Sequence, residues 1–137
     1  MKTLLAMLAL TSALGCTSSQ KASHEKELRR QGHVTVVAGG ADFIVTTPVY
    51  RRYQALSCCF PRSVWDYVQS QPAHRDGSSL NKKGTAAWVD VSGHFENIYS
   101  NEVFVATQVH QISPAHTRFI AWRRQFGSGN RVPDYAE

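Results

Sequence analysis

Acidic residues are sparse in this chain. Ten Asp and Glu stand against fifteen Lys and Arg in 137 residues, a formal net charge of +5. No two acids recur at a spacing that suggests a carboxylate pair for hydrolysis. Cysteine is rarer still. There are three, and none forms the C-x-x-C pair typical of a thiol-redox centre. The six histidines make no H-x-H, H-x-x-x-H or H-E-x-x-H pattern, so no metal site is expected. Only His94 and His110 sit on strands that pairing would bring together. G-x-S-x-G is absent, as is any internal repeat. Long apolar runs are missing too: residues 4–14 are eleven uncharged residues, too few for a bilayer-spanning helix. These absences point away from an enzyme, and no cofactor is expected.

That short uncharged stretch is nevertheless informative. Lys2 precedes it, Thr11-Ser12 interrupts it, and the small residues Ala13 and Gly15 suit cleavage, which is the layout of a secretory signal peptide. Cys16 follows directly. Ala13-Leu14-Gly15-Cys16 resembles the lipobox of bacterial lipoproteins, with Ala13 standing where Leu is usual. The resemblance implies removal of residues 1–15, a thioether-linked diacylglycerol on Cys16 and N-acylation of that residue. Thr17 rather than Asp follows, which by the same resemblance points to the outer membrane with the mature domain facing the periplasm. Two or more acyl chains anchor stably, each buried CH₂ contributing ~0.8 kcal/mol.

Loss of residues 1–15 leaves 122 residues and a charge of +4, fourteen Lys and Arg against ten Asp and Glu. That length suits one domain. Residues 16–32 read as a flexible tether, 33–127 as a single small β-rich domain, and 128–137 as a polar tail.

Within the domain, residues 33–38 and 41–49 are rich in β-branched side chains and flank Gly39-Gly40, which predicts two strands around a hairpin or bulge. Residues 50–60 alternate as a third strand. Cys58 and Cys59 would then point to opposite faces as two unpaired thiols. Pro61 ends that run, and Ser63 is a candidate N-cap for a helix burying Val64, Trp65 and Val68. Residues 71–84 read as an exposed loop. Residues 85–95 are the clearest strand, with Ala87, Val89, Val91 and Phe95 on one face and a bend at Gly93. Residues 102–112 form its partner, with Val103, Val105 and Val109 facing one way. Ser113-Pro114 predicts a helix start, and Phe119, Trp122 and Phe126 give residues 116–126 an apolar stripe.

The composition and element order therefore predict a mainly β (α+β) domain. Strand, strand, strand, short helix, strand, strand resembles the OB-fold, a small five-stranded barrel with a helix between strands 3 and 4, here with a C-terminal helix added. The function expected is a non-catalytic binding or structural module of the cell envelope, partnered by the membrane through Cys16 and by an envelope protein or glycan. Alternatives are an immunity or inhibitor lipoprotein acting on a toxin or hydrolase, and an accessory part of a secretion or conjugation machine. Export removes nucleic acid from the expected partners. Basic and aromatic residues mark the candidate binding surface: Arg118, Trp122, Arg123 and Arg124 on the last helix, and Trp88 on the clearest strand. At 100° per residue from Phe119, Arg124 lies furthest from the apolar stripe, Arg118 at its margin and Arg123 near its centre.

Overall fold

The computed structural model describes residues 27–38, 40–77 and 82–126. The expected signal sequence, the lipobox-like Ala13-Leu14-Gly15-Cys16, all but the end of the expected tether, and the tail 128–137 lie outside them.

β1 (Leu28–Val37), β2 (Gly40–Thr47) and β3 (Arg51–Gln54) form an antiparallel meander. A 3-10 turn (Ser57–Cys59) and helix α1 (Arg62–Ser70) follow, then the two-residue strand β4 (His74–Arg75). β5 (Lys83–Ile98) returns antiparallel to β1, and β6 (Asn101–Pro114) pairs antiparallel with β5. Helix α2 (Thr117–Phe126) closes the described chain. The domain is thus mainly β, with a six-stranded antiparallel sheet and two helices among the described residues. The sheet is not a closed barrel. Among the described residues β3 meets β6 through side chains, with Arg51 and Glu102 3.8 Å apart and Asn101 Nδ2 donating to Gln54 Oε1 at 3.3 Å.

Alternation sorts the side chains into two clusters. Val34, Phe43, Val45, Val89, Val91 and Phe104 are buried in the larger, which Val64 and Val68 of α1 help to close. Val105 is buried there too, in line with the expected hairpin core. Ile44 lies between Phe43 and Val45 and so points to the opposite face. There it packs with Ala86, Phe119 and Trp122 beneath α2. Each helix therefore covers a different face of the sheet.

Two backbone features shape the β5–β6 hairpin. Gly93 stands at a register shift, and a Cβ there would lie 1.9 Å from the Val105 carbonyl oxygen, so only glycine lets the two strands approach this closely. The hairpin turns in two residues, Tyr99 (φ 51°) and Ser100 (φ 67°), both in the left-handed region as a type I′ turn requires.

Several expectations are corrected. The sheet begins at Leu28 rather than residue 33, because Leu28 to Gln31 still find ladder partners on β5. Strand 3 ends at Gln54. Beyond it the chain drops beneath the sheet, where Cys59 and Phe60 are buried, and turns with Cys59 N–H donating to the Leu56 carbonyl at 2.9 Å. Cys58 and Cys59 are therefore on a 3-10 turn, not a strand. They are not bonded to each other. Cys59 is a buried free thiol, whereas Cys58, expected free, is disulfide-bonded. Helix α1 starts at Arg62 with Pro61 in the cap position, so Ser63 is already helical. The stretch read as an exposed loop holds β4, and His74 and Asp76 within it are buried. Ser113 and Pro114 end β6, paired with Trp88 and Ala87, instead of starting the helix. Proline is tolerated there because a strand end needs no further N–H.

Candidate functional site

The helix α2 places Phe119, Trp122 and Arg123 at i, i+3 and i+4, so all three share its inner face. All three are buried, and Arg123 is only 1% exposed. Its Nη2 lies 3.5 Å from Oδ2 of Asp76, itself 2% exposed, and its guanidinium carbon is 5.8 Å from the Phe119 ring centre. Burial pushes the Arg123 pKa down, and Asp76 opposes that shift. Nε and Nη1 of Arg123 have no hydrogen-bond partner among the described residues. The backbone reinforces the junction: Gly77 N–H donates to the Arg123 carbonyl at 2.8 Å, tying the segment after β4 to α2.

Two histidines line the same layer, and both are held neutral. Burial, with help from Arg123 and Arg124, lowers the His74 pKa to about 4. Burial, then His116 and Arg123, lowers that of His33 to about 2. His33 Nε2 accepts the His116 backbone N–H at 3.1 Å, and its ring stacks on Phe119 with centres 3.9 Å apart. An imidazole that stays neutral through the physiological range adds no positive charge to this layer.

Beside the Arg123–Asp76 pair a polar cleft of about 450 Å³ opens, lined by Thr35, Asp42, Gln54, Asp76, Lys82 and Arg123 among others. Asp42 is held by Arg52 at 2.8 Å. Lys82 is exposed at the rim. This cleft is the best-built candidate site in the described domain, because a buried cation with spare donors borders an open volume.

The residues expected to form one binding surface are divided by the fold. Arg118 and Arg124 are exposed, as the helical wheel indicates. Trp122 and Arg123 are buried, so they are not part of that surface: their positions on α2 point at the sheet. Trp88 is half-buried and stacks on His116 with ring centres 5.5 Å apart. Asp76, His74, His33 and Lys82 escaped sequence reasoning. Asp76-Gly77 reads as a turn, and burial of a charged residue in a non-periodic segment leaves no pattern to detect. The one usable hint was Arg123 itself, a charge placed near the middle of an apolar stripe.

The remaining polar clusters are internal bonds. Asp90 accepts both Arg29 Nε (2.8 Å) and Nη2 (2.7 Å) and Gln31 (3.0 Å), and the Arg29 bond holds its carboxyl below the usual range. His94 bonds Glu96 at 2.5 Å and His110 bonds Ser92 at 2.6 Å, so the two histidines that could have converged take separate partners. Among the described residues no group of three or more His, Cys, Asp or Glu is placed to hold a metal ion, and no helix is long and apolar enough to cross a membrane. No protein-family model, curated protein or solved structure matches the chain.

Proposed function

We propose that this chain is a lipid-anchored lipoprotein of the cell envelope, held to the outer membrane through Cys16. Its domain faces the periplasm and acts as a non-catalytic binding or structural module for an envelope protein or glycan. The observation that carries the reading is Ala13-Leu14-Gly15-Cys16 placed directly behind Lys2 and an uncharged stretch.

We read the architecture as an open barrel of the OB type. In support, β1 lies between β2 and β5, β2 adjoins β3, and β5 adjoins β6. β3 approaches β6 through the Arg51–Glu102 and Asn101–Gln54 contacts, and α1 falls between the third and fourth long strands. An OB frame is suited to recognition because its loops and open face present a ready surface.

The anchor has a consequence for Cys58. The chain carries three cysteines, and Cys59 is free. A sulfur held in a thioether at Cys16 cannot also enter a disulfide. Lipidation and an intrachain disulfide at Cys58 therefore exclude each other. Expression of the full chain in a bacterial host with a radiolabelled or clickable fatty acid distinguishes them. The lipoprotein takes up label and partitions with membranes; Cys16→Ser abolishes the label and releases the protein. Membrane association unchanged by Cys16→Ser, or an unlabelled product, refutes the anchor.

A further inference from the structure

The face of the sheet away from α2 holds a larger cleft, of about 680 Å³, between the β1–β2 hairpin and α1. Its floor is Val36 and Ala41, which are partners across the β1–β2 ladder, and Ala55, whose N–H donates to the Ala41 carbonyl at 2.9 Å. Val36, Ala41, Leu56 and Trp65 all pack against the larger core, so the cleft is an open extension of that core. Helix α1 supplies the other wall. Arg62, Trp65, Asp66 and Gln69 stand at i, i+3, i+4 and i+7, which puts them in one stripe along the helix. Val64 and Val68, offset from that stripe, seat α1 on the sheet.

The chemistry of the stripe decides what it can hold. Trp65 Nε1 already donates to the Ser57 carbonyl at 3.0 Å, and the ring makes an edge contact with Phe60 at 5.6 Å. With its one polar group in use, the indole offers an occupant only its carbon surface. Exposed polar groups flank it along α1: the Arg62 guanidinium donates, the Asp66 carboxylate accepts, and the Gln69 amide does both. Gln54, at the end of β3, adds a second amide, whose Oε1 is held by Asn101 at 3.3 Å. Arg62 and Asp66 bring one charge of each sign, so the lining has no net charge to attract an ion. A pyranose ring matches this set. It has C–H groups on a flat face, and hydroxyls around its edge that both donate and accept.

We propose that this cleft binds a neutral oligosaccharide, with one ring stacked on Trp65 and its hydroxyls bonded to Arg62, Asp66 and Gln69. This rests on the glycan named above as a partner of the domain, and not on the anchor at Cys16. The volume falls within the ~300–1,000 Å³ usual for small-molecule sites. A proline-rich peptide is the rival occupant. Such segments dock in grooves lined by aromatic rings, whereas Trp65 is the one aromatic side chain lining this cleft among the described residues.

The test is calorimetric titration of the purified full chain with two neutral trisaccharides, chitotriose and maltotriose, and separately with a blocked pentaproline peptide. Expected is saturable binding of at least one trisaccharide at a Kd of ~1 mM, with the peptide at least ~10-fold weaker. Because the sugars are uncharged, the affinity should change by less than ~2-fold between about 50 and about 500 mM NaCl. Trp65→Ala should lose at least ~10-fold. Trp65 also packs on Phe60, so a second variant, Asp66→Ala with Gln69→Ala, probes the same stripe at two exposed positions and should lose ~10-fold as well. No saturable binding of either trisaccharide below ~10 mM, tighter binding of the peptide, or an affinity untouched by the double variant each overturns the proposal. Those outcomes are separate from failure of the anchor, which is read by lipid labelling at Cys16.

Discussion

Removal of the Asp76 carboxylate is the sharpest probe of the layer beneath α2. Asp76→Ala leaves Arg123 buried without its paired carboxylate, whose Oδ2 now lies 3.5 Å from Nη2. With an effective dielectric of about 20, two unit charges at that distance attract by about 5 kcal/mol. Breaking one side of a buried pair typically costs about 3–5 kcal/mol, because the remaining ion is stranded. Both side chains are almost fully inaccessible, so little screening discounts this figure. The backbone bond from Gly77 to Arg123 is untouched, which confines the effect to the charge. Urea unfolding followed by circular dichroism reads the loss as a lowered midpoint at an unchanged slope. A companion variant, Asp76→Leu with Arg123→Met, removes both charges and should recover most of the loss, since an apolar pair of similar volume replaces a buried ion pair at little net cost. A loss below about 1 kcal/mol for Asp76→Ala would refute the reasoning, as would a double variant less stable than the single one.

Acid should unfold the domain earlier than its few carboxylates suggest. His33 and His74 are held neutral in the fold, with pKa values of about 2 and about 4. In the unfolded chain both titrate near the ordinary histidine value, so below about pH 6.5 the unfolded state binds more protons and stability falls with pH. Down to pH 4 each histidine costs about 3 kcal/mol, and His33 continues to do so below that; His74→Gln should flatten part of the slope in midpoint against pH, and a profile flat from pH 7 to 4.5 would contradict the burial. Tyr99 and Ser100 hold positive φ without being glycine or asparagine. Replacing them by Asn-Gly should stabilise the hairpin by about 1 kcal/mol, seen as a raised Tm, and a lowered Tm would show that the turn is not type I′.

The long strands were legible because their cause is local. β-Branched residues and period-two alternation at 85–95 and 102–112 need no knowledge of the rest of the chain, and Val89 and Val105 are buried accordingly. Helix α1 followed from the punctuation of Pro61 and from Val64 and Val68, and α2 from Phe119 and Trp122. Gly93 was visible as an interruption, though not the carbonyl that makes it obligatory. What failed were the boundaries. Strand 3 and the end of β6 were misjudged because strand propensity does not say where hydrogen-bond partners run out.

Taken alone, the sequence determined the mainly β class, the number of long strands, both helices and the exposed placement of Arg118 and Arg124, all of which depend on spacing within a single segment. Only the tertiary structure decided the candidate site. Arg123 and Asp76 are 47 positions apart, and their pairing arises because β4 joins the edge of β5 while α2 folds back over the outer face of β1 and β2. Burial of a charge depends on what covers it, and the cover here comes from segments distant in the chain. No local periodicity encodes that, so a loop that reads as solvated became the floor of the cleft.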